Sequence, residues 1–80
     1  MTTYTALAKI LVDEIKVPAD LVSPDASFQE LELDSLALVE LSVLIERELG
    51  VEIPEDELQD VSSLSGLTRL VERRTAGIQA

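Results

Sequence analysis

Asp34 and Ser35, within Glu32-Leu33-Asp34-Ser35-Leu36-Ala37-Leu38-Val39-Glu40-Leu41, are the residues whose types and order could carry chemistry. An Asp carboxylate is a favoured helix N-cap because it accepts a hydrogen bond from a first-turn amide that has no intrahelical partner. With Asp34 in that role, Ser35 falls at the first helical position. The unpaired amides and the positive end of the helix dipole lie there, so a phosphate attached to the Ser35 hydroxyl is electrostatically favoured at that point. In an ordinary helix start the same pair would do no more than cap it.

Other reactive chemistry is sparse. The chain has no cysteine and no histidine, which excludes disulfides, thiolate nucleophiles, Cys/His zinc sites and imidazole-based triads. Acidic pairs remain at Asp13-Glu14 and Glu55-Asp56-Glu57, but 80 residues leave little room for a desolvated cleft that would tune them as acid and base. The acids around Glu55 and Asp60 lack the spaced Asp-x-Asp-x-Asp-Gly of a calcium loop and read as a solvated face. The expectation is a non-catalytic protein with no metal.

The formal net charge is −10, and no basic residue occurs between Lys16 and Arg47 or between Arg47 and Arg69. Such an acidic field repels nucleic acid and anionic lipid and attracts protein surfaces bearing Arg and Lys. The apolar runs are too short to span a bilayer, and Met-Thr-Thr-Tyr-Thr-Ala lacks the basic start and apolar core of a secretory signal. A soluble, cytoplasmic protein follows as the expectation. A chain of 80 residues is expected to form one domain over 1–80, with a core at about 3–74 and a frayed tail at 75–80.

The elements that must position Ser35 are helical. Thr2 or Thr3 can cap a first helix with Leu7, Ile10, Leu11 and Ile15 on one face, ending near Lys16 before Pro18. A long connection from Val17 to Leu33 then needs apolar anchors, which Leu21, Val22, Phe28, Leu31 and Leu33 can supply, with a turn at Ser23-Pro24-Asp25. The second helix runs from Asp34 or Ser35 to about Leu49, stopped by Gly50. It carries two apolar stripes: Leu38, Leu41, Ile45 and Leu49, and a second of Leu36, Val39 and Val43 bordered by Glu40, Glu46 and Glu48. A small bundle buries one broad stripe, so the second is a candidate contact surface. Val51-Glu52-Ile53-Pro54 reads as extended, followed by a short helix at Glu55-Asp56-Glu57-Leu58. Ser62 or Ser63 caps the last helix, whose Leu64, Leu67, Leu70 and Val71 face inward and whose Arg69, Arg73 and Arg74 suit a negative C-terminal end. The fold expected is all-α: a small four-helix bundle with three longer helices, one short third helix and a long first loop.

Four segments in order, Pro24-Asp25-Ala26-Ser27-Phe28, Leu31-Glu32-Leu33-Asp34-Ser35-Leu36, Val39-Glu40-Leu41 and Glu52-Ile53-Pro54, give the chain a family likeness over nearly its whole length. It resembles the acyl carrier proteins, the phosphopantetheine-bearing carriers of fatty-acid and polyketide synthesis, in their discrete stand-alone form. The family's Leu-Gly-x-Asp-Ser-Leu motif is carried here by Leu31 to Leu36, with Glu32 in the glycine's place, and Ala37 stands where an acid is often found. The resemblance implies covalent 4′-phosphopantetheine on Ser35, making a phosphoprotein, with Asp34 and Leu36 as the flanking cofactor-binding positions. It implies acyl cargo held on that arm as a thioester, a thiol supplied by the cofactor in a chain that has none. It also places Leu36, Val39, Glu40, Val43 and Glu46 on a partner-binding helix.

The partners implied are a phosphopantetheinyl transferase and then a ketosynthase, an acyltransferase or acyl-activating enzyme, and a thioesterase or reductase, each met transiently by a monomer. No nucleic acid and no membrane insertion are expected. Glu32 and Ala37 favour a carrier specific to a polyketide or other natural-product pathway over a general fatty-acid carrier. Asp34, where peptidyl carriers commonly have histidine, favours acyl cargo over aminoacyl cargo. The competing readings are a peptidyl or aminoacyl carrier and an unmodified acidic helical adaptor that binds basic proteins, for which Asp34-Ser35-Leu36 would be coincidence.

The charge alone makes one prediction. Raising ionic strength from about 0.01 M to about 0.15 M shortens the Debye length from about 30 Å to about 8 Å and relieves carboxylate repulsion. The Tm should therefore rise with sodium chloride, and with millimolar magnesium. A thermal melt insensitive to both would show that self-repulsion does not limit stability.

Overall fold

Thr2 begins the fold: its Oγ1 accepts the Thr5 amide at 3.1 Å, as expected of a hydroxyl at a helix start. The computed structural model describes residues 2–79, with side chains as far as residue 75. Helix α1 (Thr3–Lys9) passes directly into a π-turn over Ile10–Glu14. Together they form the expected first amphipathic helix, with Leu7, Ile10 and Leu11 buried. It closes where Lys16 adopts a left-handed φ of 72° and the Val17 amide donates to the Leu11 carbonyl at 2.9 Å. Pro18 then prevents any continuation.

The connection to the next helix is built almost entirely of turns. A 3₁₀ turn covers Ala19–Leu21, and the Ala26 amide closes the expected Ser-Pro-Asp turn onto Ser23 at 3.1 Å. Ser27 and Glu30 then cap each other reciprocally. The Glu30 amide donates to Ser27 Oγ at 3.0 Å, and the Ser27 amide donates to Glu30 Oε1 at 2.9 Å. Such a capping box starts a helical turn. Phe28 and Leu31 are buried, while Leu21, Val22 and Leu33 pack against the core from its edge. Val17 and Ala26 are buried too.

Helix α2 (Ser35–Leu49) ends at Gly50, whose φ of 70° is a left-handed value that a side chain would strain. Leu38, Leu41 and Ile45 turn inward. The chain continues extended, with Val51 and Ile53 buried, and Ser42 Oγ donates to the Ile53 carbonyl at 2.6 Å. Helix α3 (Glu55–Asp60) follows Pro54 with three acids in its first turn, at the positive end of its dipole. Leu58 anchors it.

Helix α4 (Leu64–Gln79) is capped by Ser63, whose Oγ accepts the Gly66 amide at 3.2 Å. Leu64, Leu67 and Val71 are buried and Leu70 half-buried. The helix runs farther than the arginine pattern suggests. Arg69, Arg73 and Arg74 therefore lie well before its end and do not serve its negative terminus. Arg74 instead forms an ion pair with Glu57, whose carboxylate holds the guanidinium above its ordinary pKa, and its Nη1 donates to the Glu52 carbonyl at 3.1 Å. As for the tail expected at 75–80, the backbone is helical through Gln79, while the side chains from 76 onward and all of Ala80 lie outside the described residues.

Helix α1 packs on α4, the π-turn on α2, and α2 on α3, around one core of Leu, Ile and Val. This is the expected all-α bundle with a short third helix, and the described residues contain no strand. None of the described helices is long and apolar enough to cross a membrane. Leu41 sits at the centre with no exposure, so Leu41→Ala should cost about 2–5 kcal/mol by urea denaturation, a large part of the stability of so small a domain. A loss below about 0.5 kcal/mol, typical of surface positions, would mean that this face of α2 is not the buried one.

Candidate functional site

Asp34 is extended, with φ −91° and ψ −176°, and its Oδ1 accepts the Ala37 amide at 2.8 Å. Its carbonyl takes the Leu38 amide at 3.0 Å. Ser35 is the first residue of α2 and is exposed to solvent. Among the described residues its hydroxyl makes no hydrogen bond, and the amides of Ser35 and Leu36 find no acceptor. The site therefore offers a free nucleophilic oxygen beside two unsatisfied donors at the positive end of a 15-residue helix. A phosphate ester on Ser35 fits this set, since its oxygens accept hydrogen bonds and its charge opposes the helix dipole. Asp34 Oδ1 is already engaged by Ala37, so the carboxylate is held by the first turn.

The approach to the site is strained. Glu32 takes a φ of 60°, the left-handed region that glycine enters freely and other residues enter at a cost. It is held there by its own amide, which donates to Gln29 at 3.0 Å, and by the Leu33 amide, which donates to Phe28 at 3.0 Å. The sequence shows Glu in a position where its motif has glycine. The structure shows why glycine suits that position.

On α2 the second stripe lies outside the core: Leu36, Val39 and Val43 are 67%, 41% and 53% exposed. Glu40 and Glu46 are also exposed. At about 100° per residue, Leu36, Val39, Glu40 and Val43 share one face running away from Ser35, with Glu46 at its edge. Arg47 shares that face as well. The sequence reading passed over it, although its spacing of four from Val43 and seven from Glu40 is the signal that places it there.

The sequence pattern described as "Phosphopantetheine attachment site" matches residues 5–71 of the chain. The chain belongs to the phosphopantetheine-binding acyl carrier family. An acyl carrier protein of Thermobifida fusca is 37% identical over 68 residues, covering 84% of this chain and 86% of that protein. One from Nitratidesulfovibrio vulgaris is 40% identical over 62 residues, covering 76% of this chain and 82% of that protein. The crystal structure of an acyl carrier protein from Thermotoga maritima superposes with a TM-score of 0.79 at 20% identity, covering 92% of this chain and 87% of that one, which speaks for the fold. Membership brings a covalently attached 4′-phosphopantetheine. It also makes the chain a non-catalytic carrier, and one that works with biosynthetic enzymes.

Two substitutions test the local geometry by urea denaturation. Glu32→Gly should raise the unfolding free energy by about 0.5–1 kcal/mol, the relief of left-handed strain less the added entropy of the unfolded chain. Asp34→Ala should lower it by about 1 kcal/mol through loss of the cap. A destabilising Glu32→Gly would show that the glutamate side chain makes a contact outweighing the strain.

Proposed function

We propose that Ser35 is the hydroxyl that carries the phosphopantetheine, and that the chain is an acyl carrier of a polyketide or related natural-product pathway. The single observation that carries the first part is a solvent-exposed, unbonded serine at the start of a capped helix, with free amides beside it. When bound, the group supplies a flexible arm ending in the thiol to which acyl chains are joined. Everything else is done by the chain's own residues. Asp34 holds the first turn in place, Ser35 Oγ presents its lone pairs to a transferase, and the Ser35 and Leu36 amides stabilise the negative charge that follows.

Departures around the serine support the pathway assignment. Glu32 adds a charge beside the attachment point at the expense of backbone strain, and Ala37 leaves an uncharged, half-buried site in the first turn of the helix. A partner tuned to these differences would distinguish this carrier from one with glycine and an acid at those places. Leu36, Val39 and Val43, with Glu40 and Glu46, form the docking face on this reading. A small apolar patch with carboxylates around it favours fast, weak association with basic enzyme surfaces. The partners are the transferase first, then the ketosynthase, acyltransferase or acyl-activating enzyme, and thioesterase or reductase of the pathway.

Incubation with coenzyme A and a broad-specificity phosphopantetheinyl transferase should add one phosphopantetheine by intact mass, and Ser35→Ala should abolish it. A modified Ser35→Ala would move the site elsewhere, and no mass gain with several transferases would favour the unmodified adaptor. For the docking face, Val43→Ala should change stability by no more than about 0.5 kcal/mol while slowing loading. Unchanged loading rates for both Leu36→Ala and Val43→Ala would remove those residues from the transferase-binding surface.

A further inference from the structure

Arg47 is the only basic residue between Lys16 and Arg69. Helix α2 presents it exposed on the face that holds Val39 and Val43. Glu40, Val43, Leu44 and Arg47 stand at i, i+3, i+4 and i+7, so they line up along two turns of the helix. Seven residues at about 1.5 Å each put about 10 Å of helix axis between Glu40 and Arg47. A shallow groove runs beside them, lined by Val39, Glu40, Val43, Leu44 and Arg47 and by Glu14 of the π-turn.

Arg47 has no evident task within the fold. Among the described residues it forms no ion pair, although two carboxylates line the same groove, whereas Arg74 is engaged by Glu57. Its charge is therefore available to whatever approaches. An all-basic surface, the natural complement of a chain with net charge −10, would meet repulsion at this one point.

We propose that the exposed face of α2 carries a polarised docking row, with Glu40 toward Ser35 and Arg47 toward Gly50, the arginine being the one positive charge between the flanking carboxylates of Glu46 and Glu48. Arg47 selects enzymes that present a basic residue near the Ser35 end and a carboxylate about 10 Å farther along, with apolar side chains between them. This inference rests on the reading of the exposed α2 face as the docking surface. A second copy laid antiparallel would match the same polarity, but two chains of net charge −10 repel each other.

Two synthetic amphipathic helices test it, both with leucines at their centre. One carries Lys and Glu two turns apart, the other Lys at both positions. Each is titrated into the isotope-labelled full chain and followed by backbone amide shifts. An exposed ion pair changes affinity by about 1.5- to 5-fold, so the polarised helix should bind α2 about threefold more tightly than the all-basic one. Arg47→Glu should reverse that order while leaving the circular dichroism spectrum unchanged. A wild-type preference for the all-basic helix, or an Arg47→Glu variant that keeps the wild-type order, would overturn the proposal and leave the docking face standing. Shifts absent from α2 with both helices would overturn the docking face itself. A concentration-dependent dimer, broken by Arg47→Glu, would overturn the enzyme partner in favour of a second copy.

Discussion

A serine can both be the first residue of a helix and have its hydroxyl free for solvent only if another group satisfies the first turn. That is the service of the Asp34 carboxylate, which takes the Ala37 amide at 2.8 Å and leaves Ser35 Oγ uncommitted. A serine in the cap position would have had to turn its own oxygen inward onto the backbone. Moving the cap one residue back frees the hydroxyl and keeps the helix. The positive end of the dipole is then shared between a carboxylate already held and the oxygen that has room for a phosphate.

Such a cap works only if the chain arrives from the right direction, and the long connection provides this. Its turns are held by internal hydrogen bonds and by two that tie it to α4. The amides of Leu64 and Ser65 donate to the carbonyls of Ala26 and Pro24, each at 2.9 Å. The orphan donors at the start of α4 are thereby satisfied by the loop, and the loop's own carbonyls by α4. One set of bonds thus anchors two elements. With Phe28 and Leu31 buried beneath, the segment before Ser35 has little freedom, and the left-handed turn at Glu32 is imposed by this surrounding order.

Most of the bundle could be read from residue spacing. The two apolar stripes of α2, the stop at Gly50, the short acidic helix after Pro54 and the inward face of α4 follow from periodicity and cap chemistry, which are local properties. The features that could not be read are those that depend on distant residues. Which α2 stripe is buried depends on how the loop and α3 pack, since a helical wheel shows two apolar stripes without saying which faces inward. The Arg74 pairing with Glu57 joins residues 17 apart in the chain, and the three arginines otherwise looked like a C-terminal charge pattern. The Ser27-x-x-Glu30 capping box is a local signal as well, but it starts only a short run of turns within a long connection. Around the site, the cap at Asp34 and the position of Ser35 were legible from two residues, whereas the strain at Glu32 needed a measured φ.

The distribution of charge and burial follows from what a carrier must avoid. The described residues bury no charged or polar side chain, so the core is purely aliphatic apart from Phe28 and gains its stability from packing. Every functional demand is then met on the surface, where substitutions alter recognition at little cost to the fold. The exposed apolar side chains of α2 are few, and carboxylates border them. Too small a patch to hold a permanent complex, it can still contribute to a brief one. On the proposed docking reading, repulsion between copies would keep these patches apart, and the same negative field would accelerate encounter with enzymes that present basic surfaces. A neutral chain of the same shape would lose both effects, so on that reading the acidity of the surface belongs to function, and the small aliphatic core must be stable enough to tolerate it.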